Sequence, residues 1–466
     1  MIAKRKTWEG VPRIMAPSVL GAAPKKPFLY QIPVLGKRPV HFYCENLPKE
    51  IVMDENGLLT GVPCEGSFEI KFAAENEEGR AEKTVRLEVK ENEFARTPMM
   101  GFCSWNAFSC NVTEEDIRKT AEQLKQLGLS EYGYNYINID SSWQGFYDEE
   151  TNAIMPNEKF PDMEGLCDSL HAMGFRVGIY STPMIHAWGC PEDREWLPGC
   201  TCGERDYRFA DTMDGIGMEH RERQNADQWA RWGIDHLKYD WYPCDTFNAD
   251  LMRQALDESK RDFTFCVTVQ ANILYADYWK RHCNAWRNNV DSNGTWENLV
   301  RRLVDSTKWL PHIGGGHYLD LDMLDIGKMD LFTCQLTENE KMVAYASRAV
   351  LLSPIQISCH MDSLTEFELD LLCNEEVIAL HQDGLMRAPK LFSEENLFYI
   401  YQRELQNGDM ALAFFNLSDE AVSGTWNLSE TCEVRDVWKM ETVGKMEKLK
   451  YDLEAHSCYV VRVKRI

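Results

Sequence analysis

The 466-residue chain has no apolar run near the ~20 uninterrupted residues that a membrane-crossing helix needs. Basic side chains are scarce, with 50 Lys and Arg against 74 Asp and Glu and a formal charge of −24. So negative a surface repels phosphate backbones and excludes nucleic-acid binding as the main activity. No secretory h-region follows Lys4-Arg5-Lys6, because Glu9, Pro12 and Arg13 interrupt it and the apolar stretch 16–23 holds Pro17 and Gly21. Internal repeats and low-complexity tracts are absent. The 16 cysteines form no regular framework, and Cys266, Cys334 and Cys373 lie inside apolar runs. Such thiols suit a reduced, intracellular enzyme, so the cytoplasm is the expected compartment. The irregular spacing of Cys190, Cys200 and Cys202 reads as loop thiols rather than a zinc site completed by Cys244 or His186.

What is present is ample material for a core, with 44% hydrophobic and 11% aromatic residues. At about 150 residues per domain, the length allows two or three. Three textures divide the chain into 1–93, 94–389 and 390–466. In the first, His41-Phe42-Tyr43, Phe68 to Phe72 and Thr84 to Val89 cluster or alternate apolar residues, and Asn56-Gly57 and Glu78-Gly79 punctuate them. With Leu47-Pro48 and Gly57-Leu58-Leu59-Thr60-Gly61-Val62-Pro63, this stretch resembles the small Ig-like β-modules attached to bacterial carbohydrate enzymes. The last region returns to short strands at 397–401, 410–416 and 459–463, which predicts a C-terminal antiparallel β-sandwich.

Between them, strand patterns at 100–104, 136–140, 176–181, 236–240, 263–269, 285–290, 318–324 and 355–360 alternate with amphipathic helices. The clearest helix is expected over 114–127, where Ile117, Ala121, Leu124 and Leu127 recur at helical spacing after the capping pair Thr113 and Asp116. Eight such repeats predict an α/β fold, a (β/α)8 TIM barrel flanked by two β-domains. Active sites of these barrels form where the strands end. Asp140, Asp240, Asp291, Asp320 and Asp322 fall there, accompanied by Trp105, Trp143, Tyr180, Trp241 and Trp286. Acids among aromatic faces suit a sugar: the faces stack on ring C–H groups while the acids bind hydroxyls and transfer protons. Each Asp could equally cap a helix, and Lys238, two residues before Asp240 and on the same side of its strand, could be its structural ion-pair partner.

Residues 97–388 resemble glycoside hydrolase family 27, the α-galactosidase and α-N-acetylgalactosaminidase group. The likeness is carried by Thr97-Pro98-Met99-Met100-Gly101-Phe102-Cys103-Ser104-Trp105-Asn106, Gly133-Tyr134-Asn135-Tyr136-Ile137-Asn138-Ile139-Asp140 and Gly178-Ile179-Tyr180-Ser181. Trp232-Gly233-Ile234-Asp235-His236-Leu237-Lys238-Tyr239-Asp240, Trp286-Arg287-Asn288-Asn289-Val290-Asp291, Asp320-Leu321-Asp322-Met323 and Leu352 to Ser358 continue it. The resemblance implies an exo-acting, retaining glycosidase with Asp240 as nucleophile and Asp291 as general acid/base. Retention would place the two carboxyl groups about 5–5.5 Å apart. Trp105, Asp140, Ser141, Trp143, Tyr180, Lys238, Gln270, Arg287, Asp322 and Met323 are the expected sugar contacts. The Lys238 cation should keep Asp240 ionised, and desolvation by Trp286 together with the charge of neighbouring acids should keep Asp291 protonated.

Several positions depart from the family pattern. Asp140-Ser141 replaces two successive acids, Phe102 replaces Trp, Thr182 stands where Asp is common, Gln270 takes the place of an acid, and Tyr318-Leu319 that of Trp-Asn. Galactose, N-acetylgalactosamine and β-L-arabinopyranose are therefore all admissible sugars. The expected partner is a small carbohydrate, with no nucleic acid, membrane, metal or organic cofactor, and self-association is left open. A metal-dependent lyase or isomerase on the same barrel, or a carbohydrate-binding protein without turnover, are the alternatives.

Overall fold

The computed structural model describes residues 2–91, 93, 95–188, 197–207 and 215–466, and Cys190 of the cysteine-bearing insertion lies outside them. Eight short parallel strands form the central sheet: β1 (Met100–Cys103), β2 (Tyr136–Ile139), β3 (Arg176–Ser181), β4 (His236–Asp240), β5 (Thr264–Thr268), β6 (Ala285–Arg287), β7 (Tyr318–Asp320) and β8 (Ile355–Ile357). Neighbours in sequence are neighbours in space. β8 pairs with β1, and a parallel bridge from Leu324 to Ile357, with the Leu324 N–H on the Gln356 carbonyl at 2.8 Å, joins the β7 segment to β8 and closes the barrel. All eight expected strands are present, several shorter than their sequence pattern because the polar residues at their ends turn into loops. β2 and β3 are buried throughout, as strands covered on both faces must be.

The helices between them start and stop on local chemistry. Glu114–Gln126 opens with the capping box of Thr113 and Asp116 and buries Ile117, Ala121 and Leu124 against the barrel. Glu222–Trp232 ends at Gly233, whose φ of 92° is left-handed; the chain then turns into β4. Inside the barrel, alternation sends every second side chain inward. Asn138 of β2 donates to the Gln356 side chain of β8 at 3.0 Å, and Gly178 of β3 leaves the space that Asn138 occupies.

The N-terminal strands build three small sheets, of four, three and two strands, around Phe28, Tyr30, Ile70, Phe72, Val85 and Leu87. This unit closes the end of the barrel where the strands begin: Arg176 at the start of β3 donates to the Leu29 carbonyl at 2.8 Å and to the Tyr136 hydroxyl at 3.0 Å. At the other end of the chain, six antiparallel strands form one sheet. Phe398, Phe414, Leu449 and Val461 make its own core, while Tyr399, Tyr401, Phe415 and Val460 join the core of the barrel. The strand ends that carry the carboxylates remain free of both units.

Candidate active site

Four inward positions define the floor of a cleft of about 300 Å³ at the carboxyl end of the strands: Asp140 after β2, Tyr180 in β3, and Lys238 and Asp240 in β4. Lys238 Nζ lies 2.8 Å from Asp140 Oδ2, so its ion-pair partner is the acid of β2 and not Asp240. Burial disfavours the ammonium, but Asp140 outweighs it and holds Lys238 above its ordinary value. The Cys103 thiol also donates to Asp140 Oδ2 at 3.2 Å. Asp240 instead accepts from the Tyr180 hydroxyl at 3.1 Å. Burial raises its carboxyl to about 6, against the pull of Lys238 and Arg287. The expectation that Lys238 would govern Asp240 is thus corrected, because the lysine is spent on Asp140 and desolvation wins.

Asp291 also lines the cleft. Its side chain is 76% exposed and paired with Arg287, which is buried and bonds Asp322 Oδ1 with its other amino group at 3.0 Å. Asp322 is fixed in turn by the Ser292 N–H at 2.7 Å, and despite its burial Arg287 holds it well below the usual carboxylate range. Trp286 does not desolvate Asp291. Its ring is wholly buried and packs on Trp309 with centroids 5.9 Å apart.

Of the expected contacts, Trp105, Asp140, Ser141, Tyr180, Lys238, Asp240, Arg287, Asp291 and Met323 line this cleft. Three do not. Trp143 is fully buried, packs edge-on against Trp232, and donates its indole N–H to the Tyr180 carbonyl at 2.9 Å, which supports the site from behind. Asp322 reaches the cleft only through Arg287. Gln270, beyond the end of β5 at a φ of 57°, lies outside the lining. Asn106, Ser109, Cys110, Trp188, Ser292 and Leu331 line it unanticipated. Asn106 and Ser292 adjoin recognised residues and could have been found from them. Trp188 and Leu331 come from long loops without any period to read.

Ser141 shows what its replacement of an acid does locally. Its hydroxyl donates to the Trp188 carbonyl and is thereby engaged by the protein itself. The insertion cysteines within the described residues are separately engaged as well: Cys200 meets Ser181 Oγ at 3.2 Å, and Cys202 donates to Glu219 and accepts from Arg221.

Residues 97–191 and 209–383 match the family described as Alpha galactosidase A, and residues 395–463 match its C-terminal beta sandwich domain. The chain belongs to the alpha galactosidase A family. It is accordingly a glycoside hydrolase of the α-galactosidase type, built on a TIM-barrel-like catalytic domain with a C-terminal antiparallel β-sandwich. Relatives in the family include an alpha-galactosidase of Oryza sativa subsp. japonica, 28% identical over 407 residues that cover 83% of this chain and 89% of that one. Another is an alpha-galactosidase of Coffea arabica, 30% identical over 377 residues, 78% of this chain and 92% of that one. Among solved structures, a Bacteroides fragilis NCTC 9343 chain named as a candidate alpha-galactosidase/melibiase superposes with a TM-score of 0.88 at 25% identity, over 98% of this chain and 99% of that one. A β-L-arabinopyranosidase of Geobacillus stearothermophilus, complexed with arabinose, shares the fold with a TM-score of 0.71 at 22% identity, over 80% of this chain and 98% of that one.

Proposed function

We propose that the enzyme releases a terminal galactose, or a galacto-configured sugar such as N-acetylgalactosamine or β-L-arabinopyranose, by double displacement. The observation that carries this reading is the pair of unlike carboxylates in one cleft: Asp240 on the floor under Tyr180, and Asp291 exposed on the wall beside Arg287. Asp240, ionised above about pH 6, attacks the anomeric carbon. The bond to the glycosidic oxygen breaks as Asp291 gives that oxygen its proton. Asp291 then takes a proton from water, and the water oxygen displaces the Asp240 ester. The incoming sugar supplies the desolvation of Asp291 that the free enzyme lacks, and it competes for the Arg287 guanidinium.

Asp140 and Lys238 are the polar groups offered to the sugar hydroxyls at the floor. The engaged Ser141 hydroxyl leaves this edge one acid poorer than the family pattern, which favours a sugar lacking or altered at the exocyclic carbon. Release of chromophore from an aryl α-galactoside, an aryl α-N-acetylgalactosaminide and an aryl β-L-arabinopyranoside, with Asp240→Ala and Asp291→Ala alongside, tests the assignment. Turnover of one of them, lost in both variants, is the expected result; silence on all three overturns the galacto reading. We read residues 1–93 as an Ig-like packing module and the cytoplasm as the enzyme's compartment. Among the described residues, neither unit at the chain ends contributes to the cleft lining.

A further inference from the structure

Behind the acid/base carboxylate lies a group of buried charges that the reaction itself does not use. Arg348, 1% exposed on the helix Glu338–Leu351, makes no ion pair among the described residues. Its guanidinium is spent on carbonyl oxygens: those of Asp322 at 2.9 Å, Met323 at 2.8 Å, Leu321 at 3.3 Å and Ala344 at 2.7 Å. Arg302, itself paired with Asp325 at 3.0 Å, takes the Leu321 carbonyl at 2.6 Å, and Ser353 Oγ accepts the Leu321 N–H at 2.9 Å. Three consecutive carbonyls after β7 are therefore gripped from below.

At the centre of that strap is Asp322, whose φ of 67° is left-handed, a backbone state that persists only where the surroundings impose it. Its carboxylate holds Arg287, and Arg287 holds Asp291. An unbroken line of contacts thus runs from Arg348 through the strap and Asp322 to the carboxylate on the cleft wall. Burying a guanidinium without a carboxylate partner is costly, and a well-packed apolar side chain at 348 would fill the space without that penalty. What the apolar residue could not do is fix the strap.

We infer that Arg348 is a positioning residue for proton transfer: by pinning residues 321–323 it sets, through Asp322 and Arg287, where Asp291 stands. The inference rests on the reading of Asp291 as acid/base, and it separates from a merely structural role by leaving group. Fluoride departs from a glycosyl fluoride without a proton, so its release needs Asp240 and not Asp291. Methanol departs from a methyl glycoside only when the oxygen is protonated as the bond breaks.

The test compares the wild type with Arg348→Lys on the glycosyl fluoride and the methyl glycoside of galactose, of N-acetylgalactosamine and of L-arabinopyranose, with the pH dependence of kcat/KM recorded for both enzymes. A loss of about tenfold or more on the methyl glycoside is expected, a part of the ~10²–10⁴ that general acid catalysis supplies, with the fluoride changed by less than about threefold. The limb of the methyl-glycoside profile that reports the acid should move, while the fluoride profile stays. Ser353→Ala, which removes one bond to the same strap and leaves Arg348 in place, should give the same selective loss on a smaller scale and guards against misfolding of the first variant. Parallel losses on both substrates, or no loss on either, overturn the inference and leave the glycosidase reading intact. A wild type inert toward all three sugars overturns that reading, and the inference falls with it.

Discussion

The hydroxyl of Tyr180 donates to Oδ2 of Asp240 across 3.1 Å, and it is the hydrogen bond that couples β3 to the carboxylate at the end of β4. A bond donated to a carboxylate favours its ionised form, whereas burial opposes it and brings Asp240 to about 6. In Tyr180→Phe the carboxylate loses that donor, and only Lys238 and Arg287 still pull against burial. The acid limb of kcat/KM should move to higher pH by about one unit, the scale of a hydrogen bond to a charged group. In the proposed mechanism Asp240 must be ionised to attack, so the sign is a loss of activity on the acid side of neutrality. A limb that stays in place would separate Tyr180 from the proposed nucleophile.

Lys238 and Asp140 are 17% and 3% exposed at their side chains, and each is the other's ion-pair partner. Lys238→Met leaves a buried carboxylate without its cation, a change that costs about 3–5 kcal/mol when nothing replaces the partner. The denaturation midpoint should fall accordingly, and activity with it. Adding Asp140→Asn removes the stranded charge, so the double variant should recover much of the stability and none of the activity. Equal stability of the single and double variants would mean that the pair is not coupled as its geometry requires.

How much of this could be read from the sequence follows from what sequence patterns encode. The eight strands and the helix after Thr113 have a period, and Asp140 and Asp240 sit at strand ends, where a period stops. Position alone therefore placed them on the rim. Periodicity does not say which neighbour a side chain meets across the barrel. Lys238 shares a face with Asp240 along its strand, yet it bridges to Asp140 two strands away. Trp143 follows Asp140 by three residues, close enough to suggest the cleft, but the turn after β2 carries it into the core against Trp232. Trp286 lies near Asp291 in sequence and packs on Trp309 instead. The pairing of Arg287 with Asp291 and Asp322, and the entry of Trp188 and Leu331 into the cleft, are products of loop closure. No local pattern records them.

His456 ties the C-terminal sheet to the barrel. Its ring stacks on Trp296 with centroids 4.4 Å apart, Nδ1 lies 2.8 Å from Glu340, and Nε2 lies 2.8 Å from Asp419. Burial disfavours the imidazolium, but Asp419 and Glu340 outweigh it and raise the pKa. A raised value in the folded state contributes stability fully below the unfolded pKa of about 6.5 and loses it as pH rises through the folded value. The advantage of the wild type over His456→Gln in thermal unfolding should therefore be larger near pH 5.5 than near pH 8.5. Because the site is partly exposed, about 1 kcal/mol or less is at stake. A difference independent of pH would assign the contact to stacking alone.

Gly178 marks the place where the barrel interior has no room to spare. A Cβ there would stand 2.0 Å from Asn138 Oδ1 and 2.9 Å from the His236 ring. Asn138 cannot simply turn away, since its amide already donates to Gln356 at 3.0 Å across the barrel. Its position two residues before Asp140 carries any shift directly to the cleft floor. Gly178→Ala should cost about 1–3 kcal/mol by overpacking and reduce activity through displacement of Asp140 and Tyr180. Shortening the obstructing side chain should relieve it, so Gly178→Ala combined with Asn138→Ala should unfold at higher denaturant than Gly178→Ala alone. Simple additivity of the two losses would place the strain elsewhere, against the His236 ring of β4.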